Sequence, residues 1–111
     1  MFLADAGWLI ASSWTQHADA RNAEGEAVKP WCAEAVSWSL LGALVATYEQ
    51  LAFRDGQGAA VATLTKACAL LAHVLDGDLL SDWNDAAERT RADVLAALGE
   101  AACLPAEIAN R

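Results

Sequence analysis

Apolar residues recur at intervals of three and four along most of the chain, the spacing that places them on one face of an α-helix. This pattern predicts a first helix over Phe2–Ser12 and a second that begins at Pro30, a residue suited to the first helical turn, and ends near Phe53. A third helix is expected to end at Asp76-Gly77-Asp78 and a fourth to begin at Thr90. Four helices therefore account for most of the sequence.

The connections between these helices carry turn-forming and capping residues. Helices two and three are expected to be joined by a loop of about five residues over 54–58, which favours antiparallel neighbours. Residues 14–29 interrupt the helical period, and Asn22 followed three residues later by Gly25 predicts an ordered loop or a small β-hairpin. Thr90 and Asp93 have the spacing of a capping box, and residues 105–111 are expected to form a frayed tail.

Composition strengthens the helical prediction. The chain of 111 residues holds 27 Ala and 15 Leu but few β-branched residues, and alanine and leucine lose little side-chain entropy in a helix. We therefore predict one all-α or mainly-α domain over 1–111, a compact bundle of about four helices with the loop or hairpin between helices one and two.

Charge excludes several classes of partner. Seven basic and fifteen acidic side chains give a formal charge of −8. Such a chain repels a phosphate backbone and an anionic membrane surface, so we expect neither direct nucleic-acid binding nor membrane binding. The longest apolar-rich run, 35–48, is too short to cross a bilayer.

Three cysteines, at positions 32, 68 and 103, form no metal-binding or redox spacing. The first residues also lack the basic start of a secretory signal. We therefore expect a cytoplasmic protein with reduced thiols and no cofactor. His73, Asp76 and Asp78 match no established metal spacing, so no metal site is predicted.

Three tryptophan motifs carry a resemblance to a known family. They are Trp14-Thr15-Gln16, the segment from Trp38 to Gly42-Ala43-Leu44, and Trp83-Asn84-Asp85. In order and spacing they resemble an uncharacterised family of small bacterial and phage proteins. The resemblance supports a helical domain but implies no activity and no cofactor. Ser39 stands where that family commonly has Cys, so we assign no nucleophile and no catalytic residue.

Trp83-Asn84-Asp85 is the first candidate site. An amide and a carboxylate beside an indole could bind a polar ligand. Alternatively, Asn84 and Asp85 satisfy free helix donors, with Asp85 and Glu88 at capping-box spacing, while Trp83 fills the core. We favour the structural explanation.

The second candidate site comprises Trp14, Thr15, Gln16 and Arg21, with His17 and Asp19 interleaved. Arg21 could hold a ligand carboxylate or phosphate, but the many carboxylates of the chain are expected to pair with it first. Gly42 costs helix stability, which predicts that a helix or a tryptophan ring packs closely against it.

Three hypotheses for function remain open. The leading one is a small acidic, non-enzymatic protein-interaction module that self-associates, because five tryptophans exceed what so small a core easily hides. The second is a small-ligand pocket or weak enzyme walled by Trp14, Arg21, Trp38 and Trp83 with Asp85 as its polar group. The third is an acidic decoy that occupies the basic groove of a nucleic-acid-binding protein.

Overall fold

A computed structural model describes residues 2–110, and the side chain of residue 110 is not considered. Four long helices pack in a ring: α1 (Phe2–Ser12) contacts α2 (Leu40–Asp55) and α5 (Arg91–Cys103), and α3 (Gln57–Val74) contacts the same two helices from the other side. A short helix, α4 (Leu80–Asn84), packs against α2. The mainly-α prediction is therefore confirmed.

The core of this ring is built from small and branched apolar side chains. Alanines let the helices approach closely, while leucine, isoleucine and valine fill the space between them. The largest fully buried apolar side chains are Ile10, Leu40, Leu44, Leu71 and Val94. No helix within 2–110 is both long and apolar enough to cross a membrane.

The predicted hairpin between the first two long helices is also present. Strands β1 (Ala20–Arg21) and β2 (Ala27–Val28) are antiparallel, and β3 (Ser37–Trp38) pairs with the other edge of β1. The Asn22 side-chain oxygen accepts from the backbone N–H groups of Glu24 and Glu26, and Gly25 has a φ of 81°, which suits glycine.

The second helix begins at Leu40, so the predicted start at Pro30 is wrong. Turns follow Pro30, and the backbone of Trp38 pairs with β1 and with the segment after α1, which removes it from any helix. Ser39 then caps α2, its hydroxyl accepting from the N–H of Gly42 at 3.0 Å. Tertiary pairing thus overrides the local preference for a helix.

Two other connections differ from the expected ones. A single residue, Gly56 with a φ of 95°, separates α2 from α3 where a five-residue loop was predicted. Where the sequence suggested a frayed tail, Ala106–Asn110 forms a short 3₁₀ helix against α3. The capping box of Thr90 and Asp93 at the start of α5 is confirmed, with both reciprocal hydrogen bonds present.

Candidate functional site

Asn84, the last residue of α4, lies at the centre of the candidate site and is fully buried. Its Oδ1 accepts from the indole Nε1 of Trp14 at 2.7 Å and from the backbone N of Leu40 at 3.0 Å. Its Nδ2 donates to the carbonyl of Thr15 at 3.1 Å and to Oδ1 of Asp85 at 3.0 Å. All four hydrogen-bonding positions of the amide are therefore occupied by the protein itself.

The segment after α1 is fastened to the end of α4 by further hydrogen bonds. Nε2 of Gln16 donates to the carbonyls of Asn84 and Ala86, each at 2.9 Å. The backbone N of His17 donates to Oδ1 of Asp85 at 2.8 Å, and His17 adopts a left-handed φ of 65°. Non-glycine residues rarely adopt that conformation, so this contact helps to hold a strained turn in place.

Arg21 closes the same cluster from β1. Its Nε donates to Oγ1 of Thr15 at 2.9 Å, and its two terminal nitrogens donate to the carbonyls of Gln16 at 3.1 Å and Gly25 at 2.9 Å. These acceptors are neutral oxygens, so Arg21 is paired within the chain, but not with the carboxylate that the sequence suggested. Its guanidinium braces the loop and the hairpin together.

Asn84 satisfies a free helix donor, as the structural explanation expected, but the Asp85–Glu88 capping box is absent. The donor is the N–H of Leu40 in the first turn of α2, and no helix begins at Asp85 for an Asp85–Glu88 box to cap. Asp85 instead accepts from His17 and Asn84. The motif therefore joins the start of α2, the segment after α1 and the end of α4.

The electrostatics of Asp85 follow from these contacts. Partial burial alone would raise its pKa, but the hydrogen bonds from His17 N and Asn84 Nδ2, together with the charge of His17, bring the pKa below its ordinary value. Nδ1 of His17 lies 3.8 Å from Oδ2 of Asp85. Asp85 is thus held as a carboxylate by the loop that it fastens.

Trp38 and Trp83 lie at the edges of the cluster. The indole N–H of Trp38 donates to the carbonyl of Pro30 at 3.0 Å, and its backbone forms a bridge with Trp14. The ring of Trp83 is half-buried against the core, with the guanidinium of Arg89 stacked 3.8 Å from the ring centre. One face of that indole is therefore covered by a cation from the same chain.

Gly42 has a close neighbour, as its position in a helix predicted. The neighbour is the backbone carbonyl of Asp19, not a helix or a tryptophan ring. A Cβ at Gly42 would lie 2.7 Å from the Asp19 carbonyl carbon and closer still to its oxygen. That carbonyl accepts from the backbone N of Ser39 at 3.0 Å, so glycine lets the loop dock on the first turn of α2.

Sequence reasoning missed an apolar groove that Trp38 helps to line. The groove has a volume of about 500 Å³, and an adjoining groove of about 600 Å³ shares its Pro30–Trp31 wall. Trp31 is 51% exposed and Phe53 is 95% exposed. The groove is lined by Leu9, Pro30, Trp31, Cys32, Ala33, Trp38, Ala46, Glu49, Gln50 and Phe53. Phe53 lies outside the apolar stripe of α2, which is the signal that could have marked it as a surface residue.

Within residues 2–110, no cluster of three or more histidine, cysteine, aspartate or glutamate side chains could hold a metal ion. Every buried side-chain nitrogen or oxygen described in this range has a hydrogen-bond partner. The polar cluster therefore forms a closed network in which its members bind one another.

Comparisons with curated proteins and with solved structures found no match. A family model matches residues 2–103, nearly the whole chain, and that range includes all three tryptophan motifs. The chain therefore belongs to a family of unknown function (DUF6197).

Proposed function

We propose that this protein is a non-enzymatic protein-interaction module that self-associates through the groove beside Trp31 and Phe53. The observation that carries the proposal is the exposure of these two large aromatic side chains on the rim of one apolar groove. Contiguous exposed apolar surface on a small domain is typical of an interaction site, and aromatic residues are enriched at such sites.

The polar cluster supports this proposal indirectly. Its amide, carboxylate and guanidinium groups bond to the protein itself, which favours a structural role over ligand binding. The cluster fastens the segment that pairs with Trp38, and Trp38 in turn holds the carbonyl of Pro30. In this proposal its task is to keep the Pro30–Trp31 wall of the groove rigid.

The salt dependence of binding distinguishes a second copy of this chain from a basic partner. Each copy carries a formal charge of −8, so two copies repel one another at low ionic strength. Added salt shortens the Debye length from about 10 Å at 0.1 M to about 3 Å at 1 M, and should strengthen self-association. A basic partner, as the decoy hypothesis requires, would instead be released by salt. The module is proposed to act in the cytoplasm, where its three free thiols stay reduced.

Sedimentation velocity of the full chain tests the proposal, with Trp31→Ala as the disruptive variant and Trp8→Ala as its matched control. Trp8 is 75% exposed on α1 but does not line the groove. We expect dimers of the wild type and of Trp8→Ala, and monomers of Trp31→Ala with unchanged circular dichroism. A wild type that stays monomeric at about 100 µM, far above a dissociation constant of about 1 µM, would refute the proposal.

A further inference from the structure

We infer that two copies associate about a two-fold axis, with Phe53 of each copy inserted into the groove of the other beside Trp31. This inference rests on the proposed self-association and adds its geometry. In this geometry Phe53 of one copy is the knob, the side chain that inserts, and the groove of the other copy is its receptor.

Phe53 has the position of a knob. It lies near the C-terminal end of α2, and 95% of it is exposed although its phenyl ring is wholly apolar. It borders the groove of its own chain without filling it, since nearly all of the side chain is exposed. An apolar side chain in this position gains most from entering a cavity on another molecule.

The groove has room for such a ring. Its volume is about 500 Å³, whereas an apolar cavity of about 150 Å³ already holds benzene. Leu9, Pro30, Trp31 and Trp38 supply apolar and aromatic walls. Two indoles offer both faces and edges to an incoming phenyl ring, the arrangements that aromatic pairs prefer.

Knob and receptor lie on one face, which allows a two-fold contact. A contact that brings Phe53 of one copy to Trp31 of the other repeats itself through the axis, so both knobs are buried together. A stable interface takes about 800 Å² from each partner, roughly an eighth of the 6350 Å² surface of this chain. The two adjoining grooves share Pro30 and Trp31, so they form one continuous surface at the centre of the proposed contact.

Charges of both signs border this face. Glu49 lies one turn before Phe53 on α2 and lines the groove. Lys29 lies over the Trp31 ring at 5.3 Å, with His17 and Asp19 lining the same adjoining groove. The two-fold contact places Glu49 of one copy near Lys29 of the other, and thus pairs opposite charges on two acidic chains.

Disulfide trapping between two different chains tests this geometry. The first chain keeps Cys32, which lines the groove, as its only thiol, with Cys68→Ala and Cys103→Ser. The second chain carries Phe53→Cys as its only thiol, with Cys32→Ala added. No disulfide within one chain is then possible, and a mixed dimer keeps one native Phe53 contact. Val61→Cys, at an exposed site on α3, replaces Phe53→Cys in the control.

After mild oxidation of the mixture, we expect the mixed disulfide to form at least about tenfold faster with Phe53→Cys than with Val61→Cys, because thiols held together react at an effective concentration near the millimolar range. Dimers by sedimentation without this difference would overturn the inference and leave self-association standing. Preferential coupling of Phe53→Cys chains to one another would also overturn it, since the knobs would then meet at the axis. A monomeric wild type would overturn both proposals.

Discussion

Replacing Gly42 by alanine should destabilise the protein, although alanine is the better helix former. In an open helical site the substitution would stabilise by about 1 kcal/mol. Here the new Cβ would lie 2.7 Å from the carbonyl carbon of Asp19, so the loop must move away from α2. Overpacking of this kind costs about 1–3 kcal/mol.

The displaced loop also loses a hydrogen bond. The Asp19 carbonyl accepts from the N–H of Ser39 at 3.0 Å, and Ser39 is buried. An unsatisfied buried donor costs a further 1–3 kcal/mol or so. With the gain in helix propensity set against both losses, we expect Gly42→Ala to lower the free energy of unfolding by about 1–5 kcal/mol.

Urea unfolding followed by far-UV circular dichroism measures this difference. Gly99→Ala is the matched control, because Gly99 lies in α5 and a methyl group added there would meet no described neighbour within 4 Å. That variant should be more stable than the wild type by up to about 1 kcal/mol. If Gly42→Ala proved as stable as the wild type, or more stable, that result would refute the steric argument.

Three further predictions concern single side chains. Asn84→Leu leaves the indole N–H of Trp14 and the backbone N–H of Leu40 without their acceptor and should cost about 2–6 kcal/mol in urea unfolding; a loss under about 1 kcal/mol would contradict the closed network. Folding lowers the pKa of Asp85, so ionised Asp85 stabilises the protein above the pKa that this carboxyl has in the unfolded chain. That stabilisation is lost as the pH falls, so below about pH 4 the wild type should lose more stability than Asp85→Asn. Burial raises the pKa of the Cys68 thiol, whereas Cys103 is exposed, so a disulfide reagent should modify Cys103 first; faster reaction at Cys68 would count against the fold.

Local signals predicted the parts of the fold that short segments determine. The Asn22–Gly25 turn and the Thr90–Asp93 capping box need only residues within a few positions of each other, and both are present. The predicted start of α2 was wrong because Trp38 pairs with Ala20 of strand β1, eighteen positions earlier. The spacing of apolar residues does not show that the backbone of Trp38 pairs with a distant strand and so cannot join a helix.

The sequence predicted which residues form the candidate site better than it predicted their hydrogen-bond partners. The sequence pointed to Asn84, Asp85, Trp14 and Gln16, and the structure brings these residues into contact. Their individual partners depend on chain segments up to 70 residues apart, which no local motif specifies. The groove was missed because its wall at Pro30–Trp31 had been placed inside a helix.

The long sequence separation between Asn84 and its partners also bears on how the chain folds. The hairpin of β1 and β2 can close early, since its ends are near in sequence. The side-chain amide of Asn84 reaches Trp14 and Thr15, 70 and 69 positions earlier, so these hydrogen bonds to the segment after α1 form only when α4 has docked. Substitutions at Asn84 should therefore accelerate unfolding while leaving the folding rate almost unchanged, and a nascent chain released before residue 84 would lack the hydrogen bonds that Asn84 makes to Trp14 and Thr15.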